Sequence, residues 1–79
     1  MFDLLISRLF NFAVDNDLIV HTDTTENDLT YTVQGKNLAW GYQRVIPRTQ
    51  WEMYAGNRKD FVEYEINRLR KYLLEARLI

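Results

Sequence analysis

Two alternating runs meet at Gly35-Lys36, and they constrain this chain more than any other feature. Leu29, Tyr31 and Val33 precede the pair at every second position; Leu38, Trp40 and Tyr42 follow it in phase. Alternation of period two marks a half-buried strand, and a glycine between two such runs marks a hairpin. With Gly35-Lys36 as a two-residue type II′ turn, the glycine supplies the positive φ that such a turn needs. The register then pairs Val33 with Leu38, Tyr31 with Trp40 and Leu29 with Tyr42. All six share one face, with Thr30, Thr32, Ala39 and Gly41 on the other. A one-residue slip would scatter that separation. Two strands alone are marginal, so the apolar face predicts a cover of helices.

The flanking segments supply that cover. Phe2, Leu5, Ile6, Leu9, Phe10, Ala13 and Val14 recur at helical spacing and predict a first helix over Phe2 to about Val14. Leu4 and Phe12 widen its stripe, a sign of a second buried contact. Asn16-Asp17 then turns the chain, and Leu18 to Asp23 reads as a strand with Leu18, Val20 and Thr22 on one side. After Pro47, Thr49 to Glu52 fits a capping box that starts a short helix ending by Gly56. Asn57 is placed to cap a long last helix, with Val62, Ile66, Leu69, Leu73 and Ala76 in its stripe. Phe61, Tyr64 and Tyr72 flank the stripe, and Glu63, Asn67, Arg70, Lys71 and Arg77 face away. The predicted class is therefore α+β: helix, three-stranded antiparallel meander, short helical turn, long C-terminal helix (α-β-β-β-α). At 79 residues it forms a single compact domain, residues 1–79.

Composition narrows the function classes. A chain with 47% hydrophobic and 14% aromatic residues can fill a small core and is not a disordered segment. It has no cysteine, which removes disulfides and thiolate chemistry and points to a cytoplasmic setting. The apolar start is interrupted at helical spacing by Asp3, Ser7 and Arg8, so it reads as an amphipathic helix and not a signal peptide. No run approaches the length of a membrane span. Charge is uneven: residues 1–35 hold six acidic side chains and one basic, residues 36–79 nine basic and five acidic. Such halves could form two poles that steer a charged partner, but the expectation is that they fold against each other and largely cancel.

Catalytic constellations are missing. Ser7 is the only serine and lies in the first helix, and His21 is the only histidine and lies on the outward side of a strand. Neither has an orienting third group, so a nucleophile–base pair is not expected. The acids Asp15, Asp17, Asp23, Glu26 and Asp28 lack the spacing of a calcium loop and suit turns instead. No glycine-rich phosphate loop is present, and the chain leaves little room for a deep cleft. No enzyme activity, cofactor or metal is expected.

Two binding readings remain. The stretch from Arg44 to Lys59 mixes arginine with large aromatics, the composition of interface hot spots. Arg44, Arg48, Trp51, Tyr54, Arg58 and Lys59 are the candidate partner-binding residues of a non-enzymatic, regulatory module that recognises a protein. The alternative is a nucleic-acid-binding domain. The α-β-β-β-α order is also that of double-stranded-RNA-binding domains, which use basic residues at the start of their last helix, where this chain has Arg58-Lys59. The lysine-rich run of those domains is absent, however, and the isoelectric point near 5.7 is acidic. This is a shared topology only. Finally, the broad first helix and the terminal Leu78-Ile79 predict apolar surplus that a homodimer through helix one or the C-terminal helix would cover. A small accessory protein carried by a virus or mobile element is compatible with these features, although no residue names a source.

Overall fold

The structure, a computed structural model, describes residues 2–79. Six elements follow one another: α1 (Asp3–Asp15), β1 (Leu18–Thr24), β2 (Asp28–Gly35), β3 (Gly41–Pro47), α2 (Arg48–Met53) and α3 (Arg58–Glu75). The strands form one antiparallel sheet in the order β1-β2-β3. The predicted α+β order is therefore the observed one.

The helices cover one face. Leu5, Leu9, Phe12 and Ala13 of α1 and Phe61, Val62, Ile66, Leu69 and Leu73 of α3 are buried over Leu29, Tyr31, Val33 and Ile46 of the sheet. Arg8 meets Glu63 and Phe12 meets Arg70, so α1 and α3 run side by side in the same direction. Trp51 of α2 closes one end of this core, its ring 5.2 Å from Phe2 and 5.7 Å from Phe61. The other sheet face, with His21, Thr30, Thr32 and Gln43, is uncovered.

The stripe of α1 is rotated from its predicted position. Phe12 is core, whereas Phe10 and Val14 are exposed. The reason is that α1 must bury a face shared between β1 and α3, and Phe12 points to the α3 side beneath Arg70. On α3, Ala76 is exposed instead of buried, because the helix ends at Glu75. Arg77 then takes a positive φ of 58°, and Leu78 donates its N–H to the Leu73 carbonyl at 2.8 Å. This is a Schellman-type stop, and it folds Leu78 and Ile79 back onto the core. That part of the predicted apolar surplus is used internally.

The hairpin differs most. Gln34 pairs with Gly41, Val33 with Tyr42, Tyr31 with Arg44 and Leu29 with Ile46. Compared with the predicted register, β3 has shifted by four residues. An even shift leaves every side chain on its own face, so the alternation that revealed the strands does not choose between the two registers. Lys36 to Trp40 form a loop in place of a two-residue turn. Leu38 donates its N–H to Gly35 O at 2.9 Å, and Asn37 Oδ1 accepts from the Ala39 N–H at 3.1 Å. The positive φ falls on Leu38, at 58°, and Gly35 has none. Leu38 is consequently exposed and does not join the buried face. Gly35 is needed for space: a Cβ there would lie 2.6 Å from Trp40 Nε1.

The predicted capping box does not form either. Helix α2 starts two residues early, with Pro47 at the N-cap position and no side-chain cap. The Arg48 N–H already has a partner, Asn27 O at 2.8 Å, supplied by the β1–β2 loop. Asn57 is the N-cap residue of α3 as predicted, although its side chain makes no capping bond.

Candidate functional site

The six candidate residues divide between two places. Arg44 is on β3 with its side chain turned to the helices, because Tyr42, Arg44 and Ile46 share the inward phase of the strand. There it meets Glu65, which is 0% exposed. Arg44 Nε donates to Glu65 Oε2 at 2.6 Å and Nη2 to Oε1 at 3.0 Å, a two-pronged, charge-assisted contact. The Tyr31 hydroxyl donates to Oε2 at 2.8 Å, and Arg68 Nη1 lies 3.6 Å from the same oxygen.

This polar centre is electrostatically consistent. Burial, and then the Glu65 carboxylate, push the Tyr31 hydroxyl well above its ordinary value, so it stays a donor. The hydrogen bond to Glu65 raises the Arg44 guanidinium further above its ordinary value. A buried carboxylate costs several kcal/mol unless it is paired and hydrogen-bonded, roughly the whole margin of a domain this size. Glu65 meets that condition with donors from two strands and its own helix. Arg44 is thereby engaged internally and offers little to a partner.

Sequence reasoning missed Glu65, although two signals pointed to it. It lies four residues after Phe61 and four before Leu69, both buried, so helical spacing carries it inward. Continuing the inward phase of Tyr42 by two residues likewise places a charge at Arg44 among apolar neighbours.

Of the other five residues, Arg48, Trp51, Tyr54 and Arg58 form the corner between α2 and α3, and Lys59 lies beyond it. Trp51 is 1% exposed and belongs to the core, where it offers a partner little surface. Its indole N–H has no hydrogen-bond partner among the described residues. Arg58 lies over the Trp51 ring at 4.6 Å and reaches Glu52 at 3.3 Å. Arg48 approaches Glu52 at 3.9 Å. Tyr54 stacks on Phe61 at 4.8 Å while remaining partly exposed. Lys59, among the described residues, has no ion-pair partner; it sits with Leu4, Arg8, Val62 and Glu63 around a small apolar groove between α1 and α3. A second, shallow groove is lined by Asn27, Pro47, Arg48, Thr49, Glu52 and Met53.

Met53, which sequence reasoning passed over, is 79% exposed at the end of α2. Its signal was its phase: two residues after Trp51, it falls on the opposite side of a helix that buries the tryptophan. The charge halves interleave, since Arg8–Glu63 and Lys36–Asp17 join one half to the other. Among the described residues, no helix is long and apolar enough to cross a membrane. No family model, curated protein or solved structure matches this chain.

Proposed function

We propose that the domain is a non-enzymatic module that binds a protein partner through the α2 corner. The observation that carries this reading is Met53. A six-residue helix that buries its tryptophan holds a flexible thioether out to solvent, beside Pro47, Arg48 and the partly exposed Tyr54. Methionine adapts to irregular surfaces, and tyrosine and arginine dominate interface energetics. Within the segment from Arg44 to Lys59 the contact then falls to Arg48, Met53, Tyr54, Arg58 and Lys59. Arg44 and Trp51 support them from inside.

A photo-crosslinking residue at position 53 tests this. It should yield one dominant protein adduct in a lysate of the source cell. Arg48→Glu and Tyr54→Ala should each reduce that adduct while the circular dichroism spectrum stays unchanged. Undiminished adducts in both variants would remove the corner from the contact surface.

The nucleic-acid alternative has less support, because Arg44, Arg48 and Arg58 all face carboxylates: Arg44 is paired with the buried Glu65, and Arg48 and Arg58 share Glu52. A duplex-RNA mobility shift at low salt that disappears as salt rises would restore it. Self-association is favoured by one separate observation, the exposed Phe10 and Val14 one turn apart on α1. Sedimentation at micromolar concentration giving the 9.5 kDa monomer would reject it.

A further inference from the structure

Leu29, Tyr31 and Val33 have two sets of partners that satisfy the same alternation. In the observed register they face Ile46, Arg44 and Tyr42. Four residues away they would face Tyr42, Trp40 and Leu38, closed by a tight turn at Gly35-Lys36. The second set is entirely apolar or aromatic, and its turn is short, with the glycine where a two-residue hairpin wants it. By local preference it is the better hairpin. The chain nevertheless adopts the first, with a five-residue loop, an exposed Leu38 and a positive φ on a branched side chain. Some long-range contact must outweigh these local costs.

One side-chain contact that distinguishes the registers is polar. Only in the observed register does Arg44 lie directly opposite Tyr31, so that both reach the Glu65 carboxylate from adjacent strands. In the alternative, Arg44 would fall opposite Asn27, at the β1–β2 loop, and Glu65 would remain buried with the arginine gone. Apolar contacts are non-directional and tolerate either pairing. A two-pronged arginine–carboxylate contact has a fixed geometry and does not.

We propose that Tyr31, Arg44 and Glu65 act as a register lock for the β2–β3 hairpin, selecting it over an in-phase register four residues away. The lock sets where β3 ends, and hence where Pro47 and α2 begin. Buried polar groups that fix register at some cost in stability are a known use of such contacts.

The absence of cysteine permits a direct test. Thr32 pairs with Gln43 on the uncovered face, whereas in the alternative register it would pair with Ala39. Thr32→Cys with Gln43→Cys should therefore form an intramolecular disulfide readily under oxidised glutathione, and Thr32→Cys with Ala39→Cys should form it slowly. Glu65→Ala alone risks unfolding, so the lock is removed by Arg44→Met together with Glu65→Met, which keeps volume and removes both charges. In that background, closure between positions 32 and 39 should accelerate by roughly tenfold or more, the scale of losing one charge-assisted hydrogen bond. An unchanged rate would overturn the lock. So would failure of the double-methionine protein to fold, since the cluster would then serve stability in general and not the choice between registers.

Discussion

The β3–α3 side and the α2 corner are built from the same residue types and use them oppositely. On the first, Arg44 turns inward to a glutamate with no solvent exposure and a tyrosine of the central strand. At the second, four residues further on, Arg48 meets the exposed Glu52, and the aromatic Trp51 is what goes inside. The difference comes from the element carrying each arginine. A strand alternates strictly, so Arg44 must share the inward phase of Tyr42 and Ile46. A short helix at the edge of the core buries only one side, and Arg48 lies off it. Arginine content in a sequence therefore says little about binding until the face of each arginine is known.

Glu65→Ala is expected to have the largest effect of any single change on either side. It leaves the Tyr31 hydroxyl and a partly buried guanidinium without their acceptor, at a cost of about 3–5 kcal/mol. That would consume much of the roughly 4–12 kcal/mol expected for 79 residues. Urea unfolding measures it, and a loss below about 1 kcal/mol would mean that Glu65 is not essential to the core.

Trp51→Ala should follow closely, at about 3 kcal/mol, by opening a cavity between Phe2 and Phe61. Any loss of partner binding in this variant should track unfolding and vanish when stability is restored. Binding lost from a fully folded protein would return Trp51 to the contact surface.

Gly35→Val should cost about 1–3 kcal/mol through the clash with the Trp40 indole, which must swing outward. Because Gly35 has no positive φ, Gly35→Ala should fail for the same reason, only less. Tryptophan fluorescence should shift to longer wavelength in both, and an unshifted spectrum would show that the ring does not depend on the missing side chain.

The polar centre also predicts an alkaline limit. Tyr31 is raised above its ordinary value of 10.0, so above that pH the unfolded chain loses this proton while the folded chain keeps it. Fewer protons on the unfolded state means that stability falls as pH rises, by at most about 1.4 kcal/mol per pH unit. Below pH 10 the contribution is fully present. Tyr31→Phe should flatten the decline, and an equally steep curve would assign it to other groups.

Arg48→Ala sits at the small end, within about 0.5 kcal/mol, since its pair with Glu52 is solvent-exposed. A thermal melt indistinguishable from the parent, combined with weaker partner capture, is the signature of a surface residue. A marked drop in melting temperature would show that the corner supports the fold as Arg44 does.

The element order was legible from residues alone because it rests on local periods. The 3.6-residue recurrence of Leu5, Leu9, Ile66, Leu69 and Leu73 and the two-residue recurrence of Leu29, Tyr31 and Val33 each need only their neighbours. The placement of Asn57 before α3 and the outward side of His21 were legible for the same reason. The candidate site was legible only as a segment. Which of its members face out depends on where α2 begins, and at that start the Arg48 N–H is held by the carbonyl of Asn27, 21 positions earlier in the chain.

Local residue patterns thus specify the set of elements and, within each strand, the face of every side chain. The pairing between strands was decided by tertiary structure. A period of two is unchanged by a shift of four, so the alternation around Gly35-Lys36 permits either register, and the tight turn it suggests is locally sound. Glu65, on a helix 30 residues beyond that turn, contributes a directional charge that Tyr31 and Arg44 satisfy together in only one of them. Local patterns specify faces; a buried, directional contact specified which residues meet across them.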